Sequence, residues 1–150
     1  MRRNGRLAAL VLILLGTTLA VLPAFSWYSV PRAGGDVTAS GFSGAGQLLL
    51  IPVLGGLVVF AGGAIVGARR SGRSAPPWTG PVALAAGALG LVFSIWAVAA
   101  PRVELRASFS GGTEVVPTPV DVASAGVVSI VIAVALVVVA AGVTWSGRPR

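Results

Sequence analysis

The sequence contains neither cysteine nor histidine, and each absence excludes a class of chemistry. Without cysteine there can be no disulfide, thiolate nucleophile or zinc–thiolate site. Without histidine the commonest general base and metal ligand is missing. The only carboxylates are Asp36, Glu104, Glu114 and Asp121, and no nucleophile–base pair, phosphate loop or metal-ligand spacing accompanies them. We therefore expect no enzymatic activity, no catalytic residue, no metal and no cofactor.

Charge of any kind is scarce. Of 150 residues, 10% are charged and 55% are hydrophobic, and the mean hydropathy is +0.93. Such a composition cannot cover a water-soluble domain, so we expect a single membrane domain over residues 1–150 whose first partner is the lipid bilayer. The net charge of +7 comes from arginine clusters between apolar runs. That arrangement is typical of membrane topology signals, so we do not expect a nucleic-acid partner.

Four uncharged apolar runs are long enough to cross a bilayer. A helix rises ~1.5 Å per residue, so about 20 residues span the hydrocarbon core of roughly 30 Å. The fold class predicted is all-α membrane, with four transmembrane helices and a β-hairpin or small sheet outside the membrane. The predicted spans are residues 7–25, 48–68, 80–100 and 122–143.

The first apolar run has two interpretations. Arg2, Arg3 and Arg6 followed by an apolar stretch and small residues near position 26 are compatible with a cleavable signal peptide. A retained helix is favoured, because the run is long for a signal peptide and Trp27-Tyr28 after it is typical of a membrane interface. Cleavage of residues 1–26 remains the alternative.

Arginine is distributed unequally between the two sides of the predicted membrane. The termini and the 69–78 loop carry eight arginines and no acidic residue, whereas the 27–47 and 101–121 loops carry three arginines and all four acids. The positive-inside rule therefore predicts a multi-pass protein with both termini in the cytoplasm. The Ala, Gly, Val and Arg bias is typical of a GC-rich genome, so we expect the plasma membrane of a bacterium, specifically an actinobacterium.

Both outer loops contain β-strand patterns. In the 101–121 loop apolar and polar residues alternate from Val103 to Phe109, a Gly-Gly pair follows, and a second strand is predicted up to Pro117 and Pro119. In the 27–47 loop, Gly34-Gly35 predicts either a hairpin or an irregular glycine loop. A two-stranded hairpin is marginal alone and needs a surface to pack on. The outer-loop interaction candidates are Arg102, Glu104, Arg106, Phe109 and Glu114.

Two further sets of residues are predicted to position the helices. Aromatic residues at the ends of the runs are expected to anchor the protein at the membrane interface: Trp27, Tyr28, Trp78, Trp96 and Trp145. Small residues let helix backbones approach closely in lipid. The helix-packing candidates are Gly55, Gly56, Gly63, Gly67, Ala83, Gly87 and Gly90.

The two halves of the chain show a similar order. Phe25–Arg32 and Phe93–Arg102 each end an apolar run with a Trp and a Pro-Arg pair, and each leads into a Gly-Gly loop. A duplicated two-helix unit would explain this, and its two hairpins could then meet as one small outer sheet. Convergence on interfacial Trp and helix-ending Pro is the alternative.

Several features together resemble a known group of proteins. These are the arginine-rich start before 7–22, the Trp27-Tyr28-Ser29-Val30 exit, the Arg69-Arg70-x-x-Arg73 loop, and Arg148 after the last span. The order is similar to that of small actinobacterial four-span membrane proteins, including the tryptophan-associated transmembrane family. The resemblance implies the four-span architecture and no functional residues.

Three functions are compatible with these features. The first is a non-enzymatic accessory subunit or envelope-assembly factor that binds a membrane-protein partner or a second copy through helix faces and outer loops. The second is a small carrier or channel for an uncharged or lipid-like substrate. A tightly packed helical centre would argue against it. The third is an outer-face sensor or ligand-binding protein.

Overall fold

The structure is a computed structural model, and it describes residues 2–30, 37–40, 42, 49–100, 102–109, 112–119 and 121–146. The elements in order are α1 (Arg2–Val21), a single 3-10 turn (Leu22–Ala24), β1 (Ser26–Val30), β2 (Val37–Ser40), α2 (Leu50–Arg70), α3 (Thr79–Ala99), β3 (Arg102–Phe109), β4 (Gly112–Pro119), β5 (Asp121–Val122) and α4 (Ser124–Ser146). The described residues form four long helices and five strands, with the strands lying between α1 and α2 and between α3 and α4.

All four helices are long and apolar enough to cross a membrane, which confirms the predicted fold class. The spanning segments are Gly5–Ala24, Leu50–Arg70, Thr79–Ala99 and Ser124–Trp145, with mean hydropathies of 2.4, 2.2, 2.2 and 2.9. Each contains 20 to 22 residues, which matches the hydrocarbon thickness of roughly 30 Å. Helix α4 is rich in β-branched residues that disfavour helices in water, but a bilayer requires every backbone group to be bonded internally. The chain is therefore a multi-pass membrane protein.

The helices form a closed four-helix bundle. Each helix packs on the next along the chain, and α4 closes the ring by packing on α1. The most extensive interfaces are those of α1 with α2 and of α3 with α4. The centre is filled by apolar side chains that are fully buried, among them Leu12, Leu19, Ile51, Val58 and Leu136. We call the end formed by the start of α1 and the α2–α3 turn the arginine end, and the opposite end the sheet end.

The first outer loop forms a hairpin, but its sheet differs from the one predicted. β1 pairs antiparallel with β2, with Val30 opposite Val37, and the Gly34-Gly35 turn lies outside the described residues. β5 then pairs with the other side of β1, giving a three-stranded sheet in the order β2-β1-β5. This sheet, called the platform below, joins the first loop to the start of α4.

The second outer loop forms the predicted hairpin of β3 and β4, with Phe109 opposite Gly112. The two hairpins do not merge into one sheet, because β5 occupies the free edge of β1. The predicted break at Pro117 and Pro119 is also wrong, since β4 continues through both, opposite Glu104 and Arg102. Proline is tolerated on an edge strand. The two prolines are two residues apart, so their nitrogens, which carry no N–H, point to the same side of the strand.

Candidate functional site

The α1–α2 interface depends on glycines that let two backbones touch. A Cβ atom on Gly55 would lie 2.6 Å from the carbonyl oxygen of Gly16 and 2.8 Å from the Cβ of Ala20. A Cβ on Gly62 would lie 2.8 Å from a side-chain carbon of Ile13. Close backbone approach at small residues is a main source of helix association in lipid. Gly55 therefore holds α2 against α1, and its α1 partner Gly16 was not among the predicted packing residues.

Other predicted packing glycines of α2 face away from the bundle. Gly56, Gly63 and Gly67 are exposed, and a Cβ on any of them would meet nothing within 4 Å. They therefore pack against no helix in the part of the chain that the structure describes. Helix α2 thus has glycine on two faces, one closed against α1 and the other open to the membrane.

The predicted small residues of α3 lie inside the bundle. Ala83 is fully buried. A Cβ on Gly87 would reach Val137 of α4 at 3.4 Å, and one on Gly90 would reach Leu19 of α1 at 3.1 Å. A Cβ on Gly80, a residue that was not predicted, would lie only 2.7 Å from the hydroxyl oxygen of Thr144. Helix α3 therefore contacts both α4 and α1 through small residues.

Most hydroxyls within the spans bond to their own helix. Thr17, Thr18 and Thr144 donate to the carbonyl four residues earlier at 2.8 to 2.9 Å, and buried Ser129 donates to the carbonyl three residues earlier at 2.6 Å. Such bonds are the usual fate of Ser and Thr in membrane helices. Ser94 is the exception: its hydroxyl oxygen is buried and has no hydrogen-bond partner.

Trp27 attaches the platform to the bundle. Its side chain is 0% exposed, and its indole N–H donates to the carbonyl of Leu22 at 2.8 Å. The backbone N–H of Ala123 donates to the Trp27 carbonyl at 2.7 Å, and a Cβ on Gly126 of α4 would lie 3.7 Å from the indole ring. Trp27 was predicted to be an interface anchor. It is instead a core residue that closes the sheet end.

Tyr28 is buried beside Trp27, with 2% of its surface exposed. The two ring centroids lie 6.5 Å apart with the planes tilted by 56°, a geometry that aromatic pairs favour. Burial raises the pKa of the Tyr28 phenol, because the phenolate loses hydration. Tyr28 therefore also differs from an interface anchor, since its ring packs inside the protein.

The remaining tryptophans are at the surface. Trp78, Trp96 and Trp145 are 40%, 42% and 79% exposed. Trp78 stacks on Phe60 with ring centroids 5.6 Å apart. Trp78 directly precedes α3, whereas Trp96 and Trp145 lie in the last turns of α3 and α4, and an interface anchor is expected at such helix ends.

The structure gives the backbone register of the outer-loop candidates, but their side chains lie outside what it describes. Arg106 is opposite Val115, whereas Glu114 is opposite Ala107. The strand assignment of this hairpin is thus established at the backbone level. The interaction role predicted for its side chains stays a prediction, for Arg102, Glu104, Arg106, Phe109 and Glu114 alike.

A shallow groove opens at the sheet end between the end of α1 and the start of α4. Its volume is about 370 Å³, and it is lined by Leu22, Phe25, Ser26, Ser124, Ala125 and Val128. The lining is mostly apolar, with two serines. Its size falls within the range of small-molecule sites, but such sites are usually deeper and more enclosed.

No protein family, curated protein or solved structure matches the chain.

Proposed function

We propose that this chain is a non-enzymatic membrane protein that acts by association, as an accessory subunit or envelope-assembly factor of the bacterial plasma membrane. The arginine end would face the cytoplasm, together with both termini, because arginine accumulates on the cytoplasmic side of membrane proteins. The platform would then face outward. We also propose that the chain is related to the tryptophan-associated transmembrane family, which its sequence resembles.

The main support for this proposal is that the platform is attached to the helical bundle. Trp27 is fully buried at the sheet end, and β1 is paired on both sides, by β2 and by β5. A short sheet is marginal by itself, but here the bundle holds it in one position. A surface held in one orientation binds a partner at a lower entropic cost than a mobile loop does.

The filled centre favours association over transport. Leu12, Leu19, Val58 and Leu136 are each 0% exposed, and the spans contain no charged residue within 7–24, 50–68, Thr79–Ala99 or Ser124–Trp145. Ionisable groups inside a membrane protein usually mark ion or substrate pathways. A carrier would need the bundle to open around Ser94, the buried hydroxyl without a partner.

Site-specific photo-crosslinking tests the proposed role of the platform. A photo-reactive residue would replace Thr38, which is exposed on β2, or Val131, which is 63% exposed on α4 and serves as the control. We expect crosslinking at position 38 to give one protein adduct of defined mass. An excess of the unmodified chain should compete for the partner and reduce the amount of this adduct. Crosslinking at position 131 should give no protein adduct. The absence of an adduct at Thr38, or one that excess chain does not reduce, would contradict the proposal.

The open face of α2 is a second surface through which association would occur. We expect Gly63→Leu or Gly67→Leu to weaken co-purification with the partner or with a second copy in mild detergent, because leucine blocks close backbone approach. Gly142→Leu is the matched control, since a Cβ on Gly142 also meets nothing within 4 Å. Equal retention by all three variants would exclude this face.

A further inference from the structure

The hairpin of β3 and β4 is a two-stranded sheet, and each of its strands contains eight residues. In the part of the chain that the structure describes, β4 is the only strand that pairs with β3. A hairpin of two strands is marginal without further contacts. The outer edge of a strand presents a row of N–H and C=O groups that can pair with another strand.

The prolines of β4 determine which backbone groups of the hairpin point outward. Pro117 is opposite Glu104, and Pro119 is opposite Arg102. Opposed residues of an antiparallel ladder alternate between pairs that exchange two hydrogen bonds and pairs that exchange none. Because proline has no N–H, both proline pairs are of the second kind. The N–H and C=O groups of every second residue of β3 therefore point away from β4. These residues are Arg102, Glu104, Arg106 and Ser108.

The two edges of the hairpin differ in their ability to accept another strand. The outer edge of β4 lacks an N–H donor at Pro117 and at Pro119, and proline is one of the residues that prevent pairing at strand edges. β3 contains no proline, so each outward-pointing position of its edge keeps both a donor and an acceptor. A further strand would therefore add to β3.

The charges of β3 are not opposed by charges across the hairpin. Glu104 is opposite Pro117, and Arg106 is opposite Val115. An antiparallel pair of β3 with the β3 of a second copy, centred on Leu105, would change this. Glu104 would then be opposite the second copy's Arg106, and Arg106 would be opposite its Glu104. Opposite charges at opposed positions stabilise a sheet, whereas like charges destabilise it.

The neighbouring registers of this strand pair lose the charge match. Sliding one strand by two residues keeps the outward-pointing backbone groups in contact and centres the pair on Glu104 or on Arg106. Each of these residues would then be opposite the same residue of the second copy. Like charges directly opposite each other are destabilising. The charge pattern of β3 therefore selects the register that is centred on Leu105.

We propose that the outer edge of β3 binds the same edge of a second copy of this chain, as an antiparallel pair centred on Leu105. The product is a four-stranded sheet in the order β4-β3-β3-β4. The two-fold axis of such a pair is perpendicular to the sheet, so the sheet of two copies in one membrane lies flat along the membrane surface. The alternation of β3 suits this position, since its apolar residues share one face by the two-residue period of a strand. They are Val103, Leu105, Ala107 and Phe109.

Disulfide trapping of the full-length protein in its membrane tests the register, because the chain has no cysteine of its own. In the proposed pair the two copies of Leu105 are opposite each other without mutual hydrogen bonds. The Cα atoms of such a pair lie about 4.5 Å apart, which is within the range of a disulfide. Leu105→Cys should therefore form a covalent dimer under mild oxidation. Val103→Cys should not, because the two copies of residue 103 would lie roughly 14 Å apart along the strands.

A mixture of two variants tests the same register from a second position. Val103 would be opposite the second copy's Ala107, so co-expressed Val103→Cys and Ala107→Cys should give a mixed disulfide dimer. Val116→Cys is the control for random collision, because Val116 is opposite Leu105 but belongs to β4, on the far side of each hairpin. No dimer from Leu105→Cys, or equally abundant dimers from Leu105→Cys and Val116→Cys, would overturn the proposal.

Charge reversal tests how the two copies recognise each other. Glu104→Arg places like charges at both opposed pairs and should weaken dimerisation of the full-length protein in mild detergent about tenfold. Glu104→Arg combined with Arg106→Glu restores opposite charges and should restore dimerisation. An unchanged dimer in Glu104→Arg, or no recovery in the double variant, would contradict the pairing.

The β3 pairing requires no other protein and does not depend on the role proposed for the platform. The two proposals can therefore fail separately. If Leu105→Cys forms no dimer while the crosslinked adduct at position 38 persists, the β3 pairing alone is wrong. If the dimer forms while the adduct is absent, the role of the platform alone is wrong.

Discussion

The contact between α1 and α2 at Gly55 can be tested by adding a single methyl group. In Gly55→Ala the new Cβ would lie 2.6 Å from the Gly16 carbonyl oxygen and 2.7 Å from the Ala20 amide nitrogen. Both are backbone atoms, so no side-chain rotation can relieve the overlap. The helices must separate by roughly 0.8 Å to reach the shortest ordinary contact of 3.4 Å. Gly56→Ala, at the next residue of the same helix, meets nothing within 4 Å.

The size of the effect follows from two opposing terms. Overpacking a well-packed interface costs roughly 1–3 kcal/mol, whereas replacing glycine by alanine inside a helix contributes about 0.5–1 kcal/mol of stability. Gly55→Ala should therefore destabilise the protein by roughly 0–2.5 kcal/mol, and Gly56→Ala should be neutral or slightly stabilising. Gly55→Val should cost more than Gly55→Ala, because its branched side chain cannot avoid the Gly16 backbone. The difference in stability between Gly55→Ala and Gly56→Ala therefore measures the cost of overpacking the α1–α2 interface.

Thermal unfolding in mild detergent, followed by tryptophan fluorescence, would measure the difference. A loss of 1 kcal/mol lowers the melting temperature by about 2–4 °C for a chain of this size. We expect the order Gly56→Ala, Gly55→Ala, Gly55→Val from most to least stable. Equal melting temperatures for Gly55→Val and Gly56→Val would refute the close α1–α2 contact.

Three further predictions concern buried polar groups, with stability measured by the same thermal assay. Ser94→Ala should leave stability unchanged or raise it, because the Ser94 hydroxyl has no hydrogen-bond partner. Ser129→Ala should lower stability by roughly 0.5–1.5 kcal/mol, because it removes a buried hydrogen bond. Equal losses of stability in the two variants would contradict this reasoning. Trp27→Phe should destabilise by roughly 1–3 kcal/mol, because the bond to the Leu22 carbonyl is lost, and a wild-type melting temperature would argue against that bond. Burial raises the pKa of Tyr28 above the ordinary value of 10.0. The contribution of the buried neutral phenol to folding stability is therefore complete below pH 10.0 and is lost as the pH rises above it. Tyr28→Phe should reduce the loss of stability at alkaline pH, and an unchanged pH profile would contradict burial.

The number and extent of the spans could be predicted because length and apolarity alone determine them. The predicted span 80–100 differs by one residue at each end from Thr79–Ala99 in the structure. The short strand β5, Asp121–Val122, could not be predicted in the same way, since Val122 also begins an apolar run. A strand of two residues has no periodicity of its own, and its partner β1 is remote in sequence.

The contact surfaces of the helices could not be predicted from composition. Gly55 and Gly56 are adjacent and chemically identical, yet only Gly55 faces α1. The rotation of α2 about its axis decides which of them is buried, and that depends on the shape of α1. Trp27 shows the same limit, because a tryptophan at the end of an apolar run can lie at the lipid interface or turn inward. In the structure the side chain of Trp27 is buried, and the strand that carries it pairs with β5.

The orientation of the protein in the membrane is the central claim of this account. Because the chain has no cysteine, single cysteines can be introduced at exposed positions on the two ends, as Thr38→Cys on the platform and Ser74→Cys on the arginine end. A membrane-impermeant maleimide added to intact cells should label Thr38→Cys at once and Ser74→Cys only after permeabilisation. Labelling of Ser74→Cys in intact cells, with Thr38→Cys protected, would contradict the account.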